Sequence, residues 1–466
     1  MYQRYHLETS LAPEIAPFPN RTHVRVQKPG LALHLLRELI HYRGNRAVAL
    51  SRPCLYGVFS GPVGGFAPRS DSCVACLRCM IEHPEMVRVG LNPEYLRLGD
   101  SYFTPGHVDT DCYEARTGRV PVKGAGYRGR FGGDGWDGMW TDMSEIVRPT
   151  RDGIHGREFI STSVDIGQRP SFLTFDEPAA ATGQCARTFS LPIPVLFDAP
   201  PASVLSANYV RGLVQAAQEA ETLAVLPIGA IKKFKLQGQS LVPLVGPEDA
   251  GLLADLRFMP PMIELDGWNG ALARDIRTRF AASTICLRQA FCSNEDLATY
   301  YRAGIRVFHL LADYHGRGRD GRFVLDLIRE AHGVFLQAGC RDEVTLLGSG
   351  GIIAAEHVPK AIICGLDAVA VETALLAALQ ARFLGECPNR ESSAFELPRR
   401  LTVDWAAQRM VNLLASWRDQ LLEVLGAMGL REVRRLRGET GRAMLEKVLE
   451  REAFSGIEGY DNAEQI

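Results

Sequence analysis

Cys73, Cys76 and Cys79 stand in a C-x2-C-x2-C array, the spacing that wraps three thiolates around three corners of a cubic iron–sulfur cluster. A 4Fe-4S cluster needs a fourth ligand. Where the ferredoxin pattern would continue to a cysteine, the chain reads Met80-Ile81-Glu82-His83-Pro84. Cys112, Cys54 or the His83 imidazole could complete the set, and a 3Fe-4S cluster is also open. Zinc fits less well, because a structural zinc site usually pairs two cysteines at this spacing with a second pair elsewhere. The expected metal set is Cys73, Cys76, Cys79 and Cys112.

A second chemistry is written near the other end of the chain. An apolar run from Val344 to Gly348 leads into Ser349, Gly350 and Gly351, and a second run from Asp367 to Val371 leads into Glu372 and Thr373. In phosphate-binding barrels the loops after the seventh and eighth strands present backbone N–H groups to an anion, with glycine allowing close approach. Ordinary strand-to-helix turns would read the same way. Upstream, His315, Arg317 and Arg319 are candidate catalytic residues, an imidazole that could touch substrate beside guanidinium groups that could grip a carboxylate. His309 stands near a strand end and could touch the same substrate.

Elements must position these residues. From about Pro192, short β-type runs alternate with helical patterns, the sequence form of repeated βα units around a parallel sheet. Strands are expected at Ile193–Phe197, Leu223–Ile228, Met262–Leu265, Thr284–Leu287, Ile305–Leu311, Val344–Gly348 and Asp367–Val371, with an eighth unplaced. The count is too high for a small nucleotide fold and no GxGxxG follows the first strand, so the fold class is α/β, a TIM (β/α)8 barrel. A helix is expected at Asn294–Arg302, capped by Asn294. After Pro388, Trp405, Met410, Leu413, Leu414, Trp417, Leu421 and Leu425 recur at helical spacing and must pack on something. Residues 1 to about 140 are punctuated by Gly and Pro, apart from one helical face carrying Leu31, Leu35, Leu36, Leu39 and Ile40. Three parts are expected: a loop-rich cysteine segment (1–140), the barrel (141–390) and a helical tail (391–466).

The 466 residues, 46% hydrophobic and 23% charged, suffice for a sizeable core. With 52 basic against 54 acidic residues and a formal charge of −2, no global field draws the chain to nucleic acid or anionic lipid. The same balance favours assembly, either with other redox protein subunits or as a homo-oligomer. The most apolar stretch, Ala368 to Leu379, is interrupted by Glu372 and is too short for a membrane span. Without an apolar leader, and with eleven cysteines lacking regular disulfide spacing, the chain is expected in the cytoplasm. Cys286, Cys340 and Cys364 lie in apolar elements and read as small core residues.

The stretch from Ile305 to Cys387, including SGGIIAAEHVPKAIICGLDAV and TALLAALQARFLGEC, resembles the FMN-binding domain of glutamate synthases. The similarity extends more loosely from Met139 to Pro388, and Trp140 to Gly167 looks like the segment leading into the barrel of the archaeal-type members. The resemblance implies a barrel holding FMN, with a neighbouring cluster that passes electrons, and places the flavin on Ser349, Gly350, Gly351, Glu372, Thr373, Asp198 and Ala199. Several motifs depart from the family. Glu372-Thr373 replaces a glycine–threonine pair at the flavin phosphate, setting a carboxylate where a dianion would sit. The lysine-bearing loop has become Asp266 to Gly270, the glycine-rich substrate loop has become Asp313 to Arg319, and the early flavin contact matches only as Phe197 to Pro201. Cys387 lies where the related synthases carry cluster cysteines, but stands alone. No amino-terminal cysteine nucleophile is present, so a glutaminase half is not expected. The implied function is an FMN- and iron–sulfur-dependent oxidoreductase or electron-transfer subunit. The alternatives are a barrel that has lost its flavin and serves a complex as a structural or regulatory subunit, and an ammonia-dependent glutamate synthase.

Overall fold

The computed structural model describes residues 5–49, 54–121, 132–141, 159–169, 174–182 and 187–457. Much of the glycine-dense run from Gly124, and of the stretch from Trp140 to Gly167, lies outside them.

Eight parallel strands close into a barrel: β1 (Val195–Phe197), β2 (Ala224–Pro227), β3 (Leu241–Val245), β4 (Met262–Asp266), β5 (Thr284–Ala290), β6 (Val307–Leu311), β7 (Thr345–Ser349) and β8 (Ala368–Val371). β8 pairs back onto β1, which completes the expected TIM barrel. The strands are short, continuous apolar runs because helices cover their outer face and side chains fill their inner one. The strand that sequence did not place is β3, Leu-Val-Pro-Leu-Val. Pro243 demotes such a run on paper, since it cannot donate to a ladder. In the barrel the pairing to β2 runs through Pro243, and the pairing to β4 starts at Leu244.

The outer helices are α1 (Ala207–Glu219), α2 (Ile228–Phe234), α3 (Gly270–Arg279), α4 (Asn294–Arg302), α5 (Val324–Gln337), α6 (His357–Cys364) and α7 (Thr373–Ala378). Their starts follow capping chemistry. Ser206 accepts from the Tyr209 N–H and Asn269 from the Ala271 and Leu272 N–H groups. The α4 cap is Ser293, accepting from Asp296 N–H, one residue before the asparagine that sequence favours. At the lower end of the barrel the Asp367 carboxylate takes Arg341 at 2.8 Å, Arg437 at 2.9 Å and Arg169 at 3.1 Å. Burial pushes the pKa of Asp367 up, but the three guanidinium groups outweigh it and hold the carboxyl well below the usual range.

The apolar stripe of the tail forms α8 (Val403–Ala427), which buries Met410, Leu413, Leu414, Trp417, Leu421 and Leu425. It packs on α1 and on the helix Pro105–Thr117. α1 and α8 approach so closely that a Cβ at Gly212 would lie 2.9 Å from the Ala406 Cβ. Arg409, fully buried on α8, donates to the carbonyls of Ala378, Ala12 and Cys112.

Those contacts redraw the expected boundaries. Among the described residues, 5–15, 101–121 and those from 132 onward form one compact unit, and 16–49 with 54–100 form the other. The tail and the helix Pro105–Thr117 thus belong with the barrel. In the smaller unit, strand Thr22–Val26 pairs antiparallel with Val87–Leu91. A small core of Val24, Val58, Met86 and Val87 lies beneath them. Along the helix Lys28–His41, Leu31 reaches that core while Leu36 and Ile40 stay exposed.

Candidate functional site

The barrel interior holds an ionic cluster that sequence reading missed. Arg288 on β5 reaches across to Asp198, just past the end of β1, with Nη1 to Oδ1 at 2.6 Å and Nη2 to Oδ2 at 3.1 Å. Since β1 and β5 lie on opposite sides of an eight-stranded barrel, this contact must cross the interior. Nη1 also donates to Glu264 Oε2 on β4 at 3.1 Å, and His309 Nδ1 on β6 lies 2.9 Å from Glu264 Oε1. Arg288 is 1% exposed and Asp198 2%. Burial alone would raise both carboxyl pKa values. The neighbouring groups win, Arg288 first at Asp198 and His309 first at Glu264, and both carboxyls are held below their ordinary range. His309 Nε2 and Tyr209 Oη are buried without a hydrogen-bond partner. A charged residue inside an apolar strand, as in Thr284-Ile-Cys-Leu-Arg288, was the available signal.

At the ends of β7 and β8 the structure brings together most of the expected anion-binding residues. Ser349, Gly351, Glu372 and Thr373 are all buried. The Gly350 φ is +93°, and a Cβ there would lie 2.4 Å from the Asp313 carbonyl oxygen. The close approach that requires glycine is therefore to the neighbouring loop. The Gly351 carbonyl accepts from Tyr102 Oη at 2.8 Å and from Trp136 Nε1 at 2.9 Å, which fixes the loop from outside.

Glu372 turns inward rather than away. Its carboxylate accepts from Arg390 Nη2 at 3.1 Å, and Arg390 stands 3.5 Å from Asp198. Burial dominates over Arg390, and the Glu372 carboxyl is pushed up to about 7. That value changes the conflict foreseen from sequence. A protonated Glu372 carries no charge to repel a phosphoryl group and has a proton to donate. On that condition Ser349, Thr373, the loop amides and Arg390 form a donor set that fits a phosphate. Of the expected residues Asp198 and Ala199, the Asp198 carboxylate pairs with Arg288 and also accepts from the Ala199 N–H at 2.7 Å.

The loop from Asp313 to Arg319 separates the three catalytic candidates. His315 stacks on Tyr102 at 5.5 Å between ring centroids. The Arg317 guanidinium lies over Phe323, 5.6 Å from the ring, and its backbone N–H donates to Asp313. Arg317 and Arg319 are exposed.

In the smaller unit, Cys54, Cys73 and Cys79 pack against the Val24, Val58, Met86 and Val87 core, while Cys76 is exposed. Burial, then Cys73, Cys76 and Cys54 in turn, push the Cys79 thiol up. Thiols gathered against one small core are a candidate ligand set for a cation. Ala75 and Leu77, the residues flanking Cys76, adopt left-handed φ of 54° and 62°, and the Ala75 N–H donates to Cys73 Sγ at 3.4 Å. Cys112 belongs to the barrel unit. It is buried in the helix Pro105–Thr117, donates to the Ala377 carbonyl at 3.3 Å, and is pushed up to about 12 by burial.

Residues 321–431 match the family described as "Conserved region in glutamate synthase". The archaeal-type glutamate synthase (NADPH) of Dehalococcoides mccartyi is 24% identical over 434 residues, 79% of this chain and 86% of that protein. That of Thermotoga maritima is 24% identical over 472 residues, covering 85% and 92%. The archaeal glutamate synthase (NADPH) of Methanocaldococcus jannaschii is 36% identical over 112 residues, 23% of this chain and 22% of its own. Among solved structures, a flavocytochrome b2 mutant with pyruvate bound gives a TM-score of 0.42 at 12% identity, covering 71% of this chain and 81% of its own. The β7 and β8 loops, the buried Glu372 and the Arg341–Asp367 pair all fall within the matched residues 321–431, and over most of its length the chain is similar to archaeal-type glutamate synthases.

Proposed function

We propose that this protein is an oxidoreductase with two redox centres, an FMN at the carboxyl ends of the barrel strands and an iron–sulfur cluster on the cysteine array. The observation that carries the reading is that the glutamate synthase match spans both loops at the ends of β7 and β8, the place where barrels of this kind hold phosphate. In this reading Ser349, Thr373 and the Gly350 and Gly351 amides hold the flavin phosphate, Arg390 adds positive charge, and Glu372 contributes its proton. Arg288, fixed by Asp198 and Glu264, keeps a permanent positive charge within the barrel. When bound, FMN accepts electron pairs and releases single electrons, which suits it to exchange with a cluster. The relatives are named as NADPH-dependent glutamate synthases. Ammonia-dependent glutamate formation is therefore the first substrate to try, with Arg317 and Arg319 as candidate carboxylate contacts.

A second reading is favoured by one observation: Arg288 and Asp198 are sealed by their own ion pairs. A barrel filled in this way could serve a larger assembly as a structural subunit without flavin. Anaerobic purification followed by counting of FMN, iron and sulfide separates the two. About one FMN together with iron and sulfide supports the redox enzyme. A colourless protein free of flavin and iron defeats it in favour of the structural subunit.

A further inference from the structure

We infer that Cys54 is the fourth ligand of the cluster, giving a four-thiolate site of Cys54, Cys73, Cys76 and Cys79 contained within the smaller unit. The inference rests on the iron–sulfur reading above. It replaces Cys112 in the ligand set expected from sequence.

Local chain geometry carries it. Cys54 opens a turn in which its carbonyl accepts from the Gly57 N–H at 2.8 Å. Just beyond, the Arg69 N–H donates to the Val58 carbonyl at 2.8 Å, and the Cys73 N–H donates to the Ser70 carbonyl at 3.1 Å. Val24 N–H donates to Ser70 Oγ at 3.1 Å, tying the same corner to the strand pair. The chain between residues 58 and 69 is thereby closed into a loop that returns the segment after it to the segment before it. Cys54 and Cys73 consequently face one apolar core together with Cys79. Ala75 and Leu77, on either side of Cys76, both adopt left-handed backbone conformations. Non-glycine residues in that region cost on the order of 1 kcal/mol each and persist where the surroundings demand them, as a ligand loop does.

The other candidates are engaged elsewhere. Cys112 is locked in a helix contact of the barrel unit. His83 closes the helix Arg78–Glu82 with its N–H on the Cys79 carbonyl, and its ring lies 4.7 Å from that of His34. Ligation is redox-neutral: each of the four thiols gives its proton to solvent and its sulfur lone pair to iron, so four S–H bonds are exchanged for four S–Fe bonds. Three thiolates from one tight loop crowd a single zinc ion but match three corners of a cube.

The test is to isolate the full chain anaerobically as wild type, Cys54→Ser and Cys112→Ser, then count iron and acid-labile sulfide and record EPR spectra. Wild type and Cys112→Ser should both carry about four iron and four sulfide with the same reduced-state signal, while Cys54→Ser should drop to a three-iron signal or lose the cluster. A Cys54→Ser protein with the full complement and an unchanged signal overturns Cys54 while leaving the iron–sulfur reading intact. Stoichiometric zinc without sulfide in the wild type overturns both. An alkylation map of the wild type avoids any folding defect in the variant: Cys54 should react with iodoacetamide only after iron is chelated, together with Cys73, Cys76 and Cys79. Ready alkylation of Cys54 in the iron-loaded protein overturns the assignment.

Discussion

Glu372 is the residue whose behaviour depends most on its surroundings. A carboxyl pushed up to about 7 by burial binds a proton in the folded state between about pH 4.5 and 7, where the unfolded chain does not. Folding stability therefore falls as pH rises through that window. Glu372→Gln, which mimics the protonated form, should match wild type near pH 5. It should exceed wild type by on the order of 1–3 kcal/mol near pH 8, read from denaturant unfolding at each pH. A pH-independent difference would show that Glu372 remains ionised. Arg288 behaves in the opposite sense. Arg288→Met leaves Asp198 and Glu264 buried without their shared cation and should cost about 3–5 kcal/mol at neutral pH. A smaller loss would mean that the interior admits water to those carboxylates. Sequence marked Asp198 and Glu372 but could not pair them. Their partners Arg288 and Arg390 lie 90 and 18 residues away, and only barrel closure brings the groups together.

The loop after β7 shows how an element can look like a ligand site for a different reason. Gly350 and Gly351 read as an anion cradle, but the space a Cβ would take at Gly350 is filled by the Ala312 and Asp313 carbonyls. Gly350→Ala should therefore cost about 2–4 kcal/mol, through both the positive φ and the contact, and should lower Tm whether or not flavin is present. Loss of flavin without loss of stability would instead place the glycine requirement at the ligand. Seven of the eight strands were legible because each is a buried apolar run bounded by turn residues. β3 was not, because proline forbids a donor wherever it stands, and only the register shows that the ladder tolerates Pro243.

For the molecule as a whole, Arg409 ties residues near Ala12, the helix Pro105–Thr117 and α7 to α8 through three carbonyls. Arg409→Met keeps much of the volume and removes the donors. It should cost about 2–4 kcal/mol and expose the segment around Ala12 to limited proteolysis, followed by amino-terminal sequencing of the fragments. Unchanged protection would show that the apolar face of α8 holds the segment by itself.

By itself the sequence determined the barrel, the packing helix after it and the three clustered cysteines. Each of these is written in local periodicity or spacing, which the backbone enforces within a few residues. Tertiary structure decided the rest. It assigned the helix Pro105–Thr117, with Cys112, to the barrel unit; it placed Cys54 on the same core as Cys73 and Cys79; and it set Arg288 between Asp198 and Glu264. The physical reason is common to all three. Burial and charge pairing depend on which distant segments meet, and that is fixed only when the chain closes on itself.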